Sequence, residues 1–532
     1  MRVKRRDFVG SLIATTAAAQ EQSGVECRIV DSSTGRQVPA RVRLLDRDGR
    51  EVAPLGHPPE LSEKAQEGDV RFQSRRFSYV DGSFRVDPRQ LPLRYQIVKG
   101  YEYQIAEGEL SGPAGIPLTR PTSLARGWFS GDIHIHHIAP KTCRLEMEAE
   151  DLHVANILTS DFTNDQDQFE GKLNANSGRG RLIYVSQEFR QHQLGHLCVL
   201  NLNRLVEPVK PARPEHYPLH LDACGQAQRS RGYVAWAHFP SWPGLECPLD
   251  VAMEKLDGLE ILCVLDPSHF PLFMREVVPE LEANDGLRLW YRFLNSGYRL
   301  PATAGTDKMT NYVTVGANRV YARVDGELTY TAWIDALRRG RTFVTNSPLL
   351  SLAVNGREPG EELNLGARGF KAVQVVAHAE SQFPYDRLEI VANGQVIADA
   401  TPGGPRSAAK IQLEYPAGRS CWLAARVIEE MKPYRDRGVD FAKIHSAAGT
   451  RHGDWFGTRR PETVFAHSSP VYVIVDGTPI RSFDDAEYYV RYMDRAIAWL
   501  EKNGKFARPA DKLASLEAFR QGRARWQARQ RR

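Results

Sequence analysis

A chain of 532 residues is too long for one hydrophobic core, which sets an expectation of about two to four domains with room for a sizeable catalytic unit. With 42% hydrophobic and 25% charged residues the composition is that of an ordinary globular protein, and no apolar run approaches the roughly 20 residues that span a bilayer, so no integral membrane segment is expected. The formal charge of +5 is mild and its lysines and arginines are scattered rather than set beside aromatics, which argues against a nucleic-acid partner.

The chain opens with Lys4-Arg5-Arg6-Asp7-Phe8, followed by an apolar stretch that ends on Ala17-Ala18-Ala19. Basic, apolar and small-residue segments in that order predict a signal peptide of twin-arginine type over residues 1–19, hence a periplasmic or secreted protein. A basic tail, or a general secretory signal that happens to hold two arginines, is the competing reading. Over residues 24–121 polar and apolar residues alternate between turns such as Asp46-Arg47-Asp48-Gly49 and Tyr79-Val80-Asp81-Gly82, the pattern of short antiparallel strands. The stretch Gly24 to Arg43, with Asp31-Ser32-Ser33-Thr34-Gly35 and Val38-Pro39-Ala40-Arg41-Val42, resembles the β-sandwich of carboxypeptidase-regulatory and transthyretin-like domains, which implies a packing role.

Over residues 122–348 the pattern changes. Short β-rich runs recur at Gly131–Ile135, Ala155–Thr159, Leu182–Val185, Leu197–Leu200, Tyr233–Ala237, Leu259–Val264 and Ala302–Ala304. Helix-like segments separate several of them: Pro214–Ser230, Pro271–Leu294 and Tyr330–Arg339, the last before a capping Gly340. Such alternation predicts a parallel sheet closed as an α/β barrel. Residues 349–480 return to short strands around turns such as Asn393-Gly394, which predicts a second β-sandwich, and residues 481–532 read as a helical tail rich in arginine. The seven cysteines are widely spaced with no Cys-x-x-Cys pair, so buried apolar packing is expected of them, with one or two disulfides as the alternative.

The chemistry concentrates at Gly131-Asp132-Ile133-His134-Ile135-His136-His137. Residues two apart on a strand point to the same face, so His134 and His136 project together, and His137 is expected to face away. Paired imidazoles are either a chelate or an awkward packing problem. The following strands end in residues able to bind metal, at Asp161, Glu188, His196, His238 and Asp307, and barrel enzymes assemble their sites from such strand ends. Asp132 is a candidate orienter of the histidines, or a strand-end cap. His153, His192, His216, His220 and His269 lack matching partners, and packing is expected of His467.

The order Gly-Asp-x-His-x-His, Glu, Gly-His, Ala-His before a proline-bearing loop and Gly-Thr-Asp resembles the polymerase and histidinol phosphatase (PHP) superfamily. Within it the sequence is similar to the carbaryl-hydrolase-like CehA/McbA branch, which Asn295-Ser296-Gly297-Tyr298-Arg299-Leu300-Pro301 and the stretch Ala336 to Pro348 also match in wording. The resemblance covers about Trp128 to Pro348. It implies a distorted (β/α)7 barrel flanked by N- and C-terminal β-sandwich domains. It also implies a metal held by His134, His136, Glu188 and Asp307, and a second held by Glu188, His196 and His238. A third metal would need histidines where this chain has Phe162 and Met309, so two divalent ions are expected, zinc ahead of manganese or iron.

On that reading metal-activated water cleaves an ester, carbamate or amide bond of a small-molecule substrate, with a phosphoesterase or a non-catalytic, metal-stabilised binding protein as alternatives. Asp161 could serve as general base or hold a loop. Lys308 could neutralise an anionic substrate or point to solvent.

Overall fold

The computed structural model describes residues 24–530 apart from 63, 73–74, 123, 179, 192, 211–215, 240–243, 264–276, 278–285, 367–370 and 430–463. The expected signal peptide, His192, His269 and much of Pro271–Leu294 lie outside the described residues.

The chain first forms β1 (Val25–Asp31), β2 (Ala40–Leu45), β3 (Glu51–Val52), β4 (Val70–Phe72), β5 (Arg75–Val80), β6 (Ser83–Val86), β7 (Leu93–Val98), β8 (Ala106–Leu110) and β9 (Ala114–Leu118). They make two sheets, β6-β1-β9 and β4-β5-β2-β7-β8, with β3 added to β2. Alternation is the cause: Cys27 and Ile29 of β1, Phe84 and Val86 of β6, and Val42 and Leu44 of β2 all turn into one shared core.

The middle of the chain supplies β10 (Trp128–Ile135), β11 (Val154–Thr159), β12 (Leu182–Gln191), β13 (Gly195–Leu200), β14 (Tyr233–Trp236), β15 (Gly258–Leu262), β16 (Ala302–Ala304), β17 (Arg319–Arg323) and β18 (Thr342–Thr345). Every β-rich run read from the sequence is therefore a strand, but the (β/α)7 barrel expected from them does not form. Of the described residues 37% are strand and 22% helix, and these strands belong to one large curled, half-barrel sheet. Among the described strands of this stretch β10-β11-β12 and β14-β15-β16 run parallel, whereas β13 is antiparallel to both its neighbours and β17 to β10 and β18.

Two local causes break the β/α alternation. The link from β12 to β13 has no room for a helix, Leu194 N bonding back to Gln191 O at 2.7 Å, and β16 leads to β17 through a loop pinned by Asp132 and Thr306. The edge strand β16 approaches β18 without joining its ladder. Instead Thr342 Oγ1 donates to Ala302 O at 2.8 Å, and Ala302 N donates to Ser469 Oγ at 2.9 Å.

The remaining strands are β19 (Leu349–Val354), β20 (Glu362–Leu365), β21 (Ala372–Glu380), β22 (Arg387–Ala392), β23 (Gln395–Ala400), β24 (Ala409–Pro416), β25 (Cys421–Ile428), β26 (Ala466–Ser468) and β27 (Val471–Val475). The central sheet does not stop at the Pro348 boundary but runs on across it. The order is β16-β15-β14-β13-β12-β11-β10-β17-β18-β26-β25-β22-β23, with β20 and β27 joined beside β25. A separate sheet, β19-β21-β24, shares a core with this extension. Between β22 and β23 the expected Asn393-Gly394 turn has positive φ at both residues, 47° and 86°, as a tight hairpin requires.

Helices His220–Arg229 and Tyr330–Arg338 lie within their expected segments, helix Gly286–Asn295 covers the described end of the segment expected from Pro271, and Gly340 at φ 70° follows the last. Helices Phe483–Asn503 and Pro509–Gln530 pack on the central unit. Fully buried Trp526 stacks on Tyr489 with ring centroids 4.5 Å apart and donates from Nε1 to Pro248 O, so its loss would cost about 3–5 kcal/mol. The tail arginines Arg520, Arg523 and Arg529 pair with Glu501, Asp494 and Glu254.

Candidate metal centre

The C-terminal ends of β10, β11, β14 and β16 open on one edge of the sheet, and β13, running the opposite way, delivers His196 there from its first residues. The β10–β11 register shifts between Asp132 and Ile135, an irregularity at the His-x-His motif that re-aims its side chains. Positive φ at His238 (34°) and Asp307 (51°) marks local strain of the kind that collects at functional sites.

Six of the residues singled out from sequence meet here. His134 and His136, both fully buried, bring their Nε2 atoms to 3.1 Å. Glu188 reaches them at 3.8 and 3.4 Å and Asp307 at 3.4 and 3.6 Å. His196 Nδ1 and His238 Nε2 lie 3.1 and 3.6 Å from Glu188 Oε1. Their ligand atoms form overlapping groups within 4.8 Å: His134/His136/Glu188, His134/His238/Asp307, and Glu188/His196/His238. These buried groups could hold a metal ion.

The ring nitrogens behind the cluster decide what faces it. His136 Nδ1 meets Leu158 O at 2.7 Å, and a carbonyl can only accept, so that nitrogen carries the proton and Nε2 offers a lone pair. His134 Nδ1 lies 3.2 Å from both oxygens of Glu260, with the same consequence. The two Nε2 atoms and two carboxylates thus converge on one point, and a cation suits that arrangement. The pocket draws positive charge in any case. Although burial opposes a charge on His134, Cys198, Glu260 and Asp307 outweigh it and raise its pKa well above the ordinary histidine value. Burial likewise works against ionised Glu188, yet Arg190 and then His196 hold its carboxyl well below the usual range.

Asp132 acts through the backbone, accepting from His134 N and Thr306 N at 2.9 Å each and from Gly316 N at 2.8 Å. Burial still pushes its carboxyl up to about 6. Asp161 stands beside the donors, its Oδ1 3.9 Å from Arg190 Nη1. Lys308 turns away from them. Its buried Nζ donates to Gln66 O and Thr310 O at 2.8 and 3.0 Å, which ties the N-terminal unit to the loop behind Asp307, while Lys308 O accepts from His136 N.

His137 sits outside the groups against Phe162, and His153, His216 and His220 bond Ser130, Gln193 and Glu246. His467 is buried between Tyr291 and Ser468 O. The cysteines are all buried and unpaired, and Cys263 joins His134 and Glu260 in a fourth group.

Two residues of the site escaped the sequence reading although each left a signal. Glu260 is the single charge in Gly258-Leu259-Glu260-Ile261-Leu262, a strand buried throughout, and a buried carboxylate demands a partner. Arg190 follows Glu188 by two on β12 and so shares its face. A third constraint is steric: a Cβ at Gly305 would stand 2.4 Å from His134 Cβ and 2.5 Å from Glu260 Oε1, so only glycine lets this loop pass.

No family model matches the chain, and no curated protein matches it. Among solved structures it is similar to the crystal structure of PsfC from Pseudomonas syringae PB-5123, at 17% identity over 39% of this chain and 88% of that one. The TM-score is 0.28, and a likeness at that level carries no argument.

Proposed function

We propose that this chain is a metal-dependent hydrolase that uses activated water to cleave an ester, carbamate or amide bond in a small molecule. What supports the reading is the cage of acceptors: His134 Nε2, His136 Nε2, Glu188 and Asp307 face one another after both Nδ1 protons have been spent on Glu260 and Leu158 O. Mixed imidazole and carboxylate donors suit zinc first, then manganese or iron. The expected pair would place a second ion among Glu188, His196 and His238, a group whose competence turns on which nitrogen of His196 carries the proton. A divalent cation held by these residues would supply Lewis acidity, the chemistry that makes water a competent nucleophile near neutral pH.

The protein's own groups do the positioning. Glu260 and Leu158 O fix the imidazole tautomers, and Asp132 ties the His134 backbone to the Asp307 loop. Asp307 keeps 23% of its side chain exposed, and Asp161, 3.9 Å from Arg190, would take the proton. The PHP-type kinship belongs to this proposal on the strength of the site residues alone. So does export, for which the basic, apolar and small-residue order of residues 1–19 is the support.

The test is metal analysis of the purified protein beside a hydrolysis panel of esters, carbamates, amides and phosphoesters, run on wild type and His134→Ala. Stoichiometric metal and turnover, both lost in the variant, are expected. A metal-free wild type, or a variant with undiminished turnover, overturns the proposal, and exclusive turnover of phosphoesters replaces its substrate class.

A further inference from the structure

We infer that Arg190 keeps His196 out of metal coordination, so that the centre holds one cation tightly and His196 serves it as a hydrogen-bond donor to Glu188. The inference rests on the metal-centre reading above and concerns how that centre is divided.

The far nitrogen of each histidine carries the argument. A neutral imidazole has one proton, and the nitrogen that binds a metal is the one without it. His134 and His136 meet this condition, because each has an acceptor behind it. His196 does not. Its Nδ1 faces the cluster, 3.1 Å from Glu188 Oε1 and 3.2 Å from His238 Nε2, while its Nε2 meets Arg190 Nε at 3.4 Å. A guanidinium only donates and stays charged, so the Nε2 lone pair is taken and the proton resides on Nδ1. From there it is donated to Glu188. A ring in that state offers the cluster a hydrogen rather than a lone pair.

Charge points the same way. Arg190 Nε lies 3.7 Å from Glu188 Oε2, and its Nη1 lies 3.9 Å from Asp161. The guanidinium therefore already neutralises carboxylates that a second cation would need, and would repel that cation at close range. Its place is fixed by packing, with the guanidinium carbon 4.5 Å from the centre of the Phe162 ring. Arg190 is thus a positioning residue that acts through the protonation pattern of His196.

The experiment loads apoprotein with Co(II), then with Zn(II), and reads equivalents retained after dialysis together with the Co(II) absorption spectrum. Wild type is expected to hold one equivalent with a single set of bands. His196→Ala should also hold one, with affinity lower by about ten-fold, as for loss of an outer partner. Arg190→Lys, which still donates, should behave as wild type, whereas Arg190→Met frees Nε2 and should bind a second equivalent with a changed spectrum. Two tight equivalents in wild type, or loss of an equivalent in His196→Ala, overturn the inference and leave the hydrolase reading standing. A wild type that binds neither metal removes both.

Discussion

The central sheet buries histidines in two settings, and the difference between them separates a ligand from a packing residue. At β26, His467 is enclosed completely. Its Nε2 accepts from the Tyr291 hydroxyl at 2.7 Å and its Nδ1 donates to Ser468 O at 2.7 Å, so the neutral ring is satisfied by the protein alone. At the end of β10, His134 and His136 are just as buried, but only their Nδ1 atoms are satisfied, and their Nε2 lone pairs face carboxylates. Burial is common to both. What distinguishes them is whether the second nitrogen meets a donor or another acceptor.

The most severe test of this contrast is His136→Ala against His467→Gln. The first should weaken metal binding by well over ~100-fold, beyond the loss of an outer partner, and the second should leave it unchanged by metal titration. Gly305→Ala comes next, because its methyl drives into His134 and Glu260; metal affinity should fall without loss of the fold seen by circular dichroism. Glu260→Gln should cost about 10–100-fold in metal affinity, since an amide can present its NH₂ group to His134 Nδ1 and unsettle the tautomer. Chelation should lower the thermal midpoint, by the equivalent of about 2.7 kcal/mol if free metal had stood 100-fold above its dissociation constant.

The smallest effect belongs to His467 and is a matter of pH. Burial pushes its pKa down to about 3 from the ordinary 6.5, so between those values the unfolded chain binds a proton that the native chain does not. Stability is complete above the upper value and falls with pH below it, by on the order of 1 kcal/mol per pH unit. Comparing urea midpoints of wild type and His467→Gln at pH 7.5 and 5 isolates this term: the gap between the two should move against wild type at the lower pH.

The strand positions were legible because each is a short apolar run bounded by turns, and Ala302–Ala304 matches to the residue. Their winding was not. A run such as Leu197–Leu200 is equally apolar whether its neighbours are parallel or antiparallel, and the one local mark of the reversal is the brevity of the link from Gln191 to Gly195, which has no room for a crossover helix. Lys308 shows the same limit at a single residue. Beside Asp307 it reads as a charge for the substrate or for solvent, but its ammonium is consumed by Gln66 O, a contact 242 residues away in sequence.

By itself, then, the sequence determined which side chains could donate to a metal and, for Asp161, His238 and Asp307, the strand ends beyond which they stand, because residue type and period-two alternation are local properties. Tertiary structure alone decided how the sheet curls, that Glu260 stands behind His134 and that Arg190 stands behind His196. Those are long-range matters of which atom faces the second nitrogen of a ring, and no local pattern encodes them.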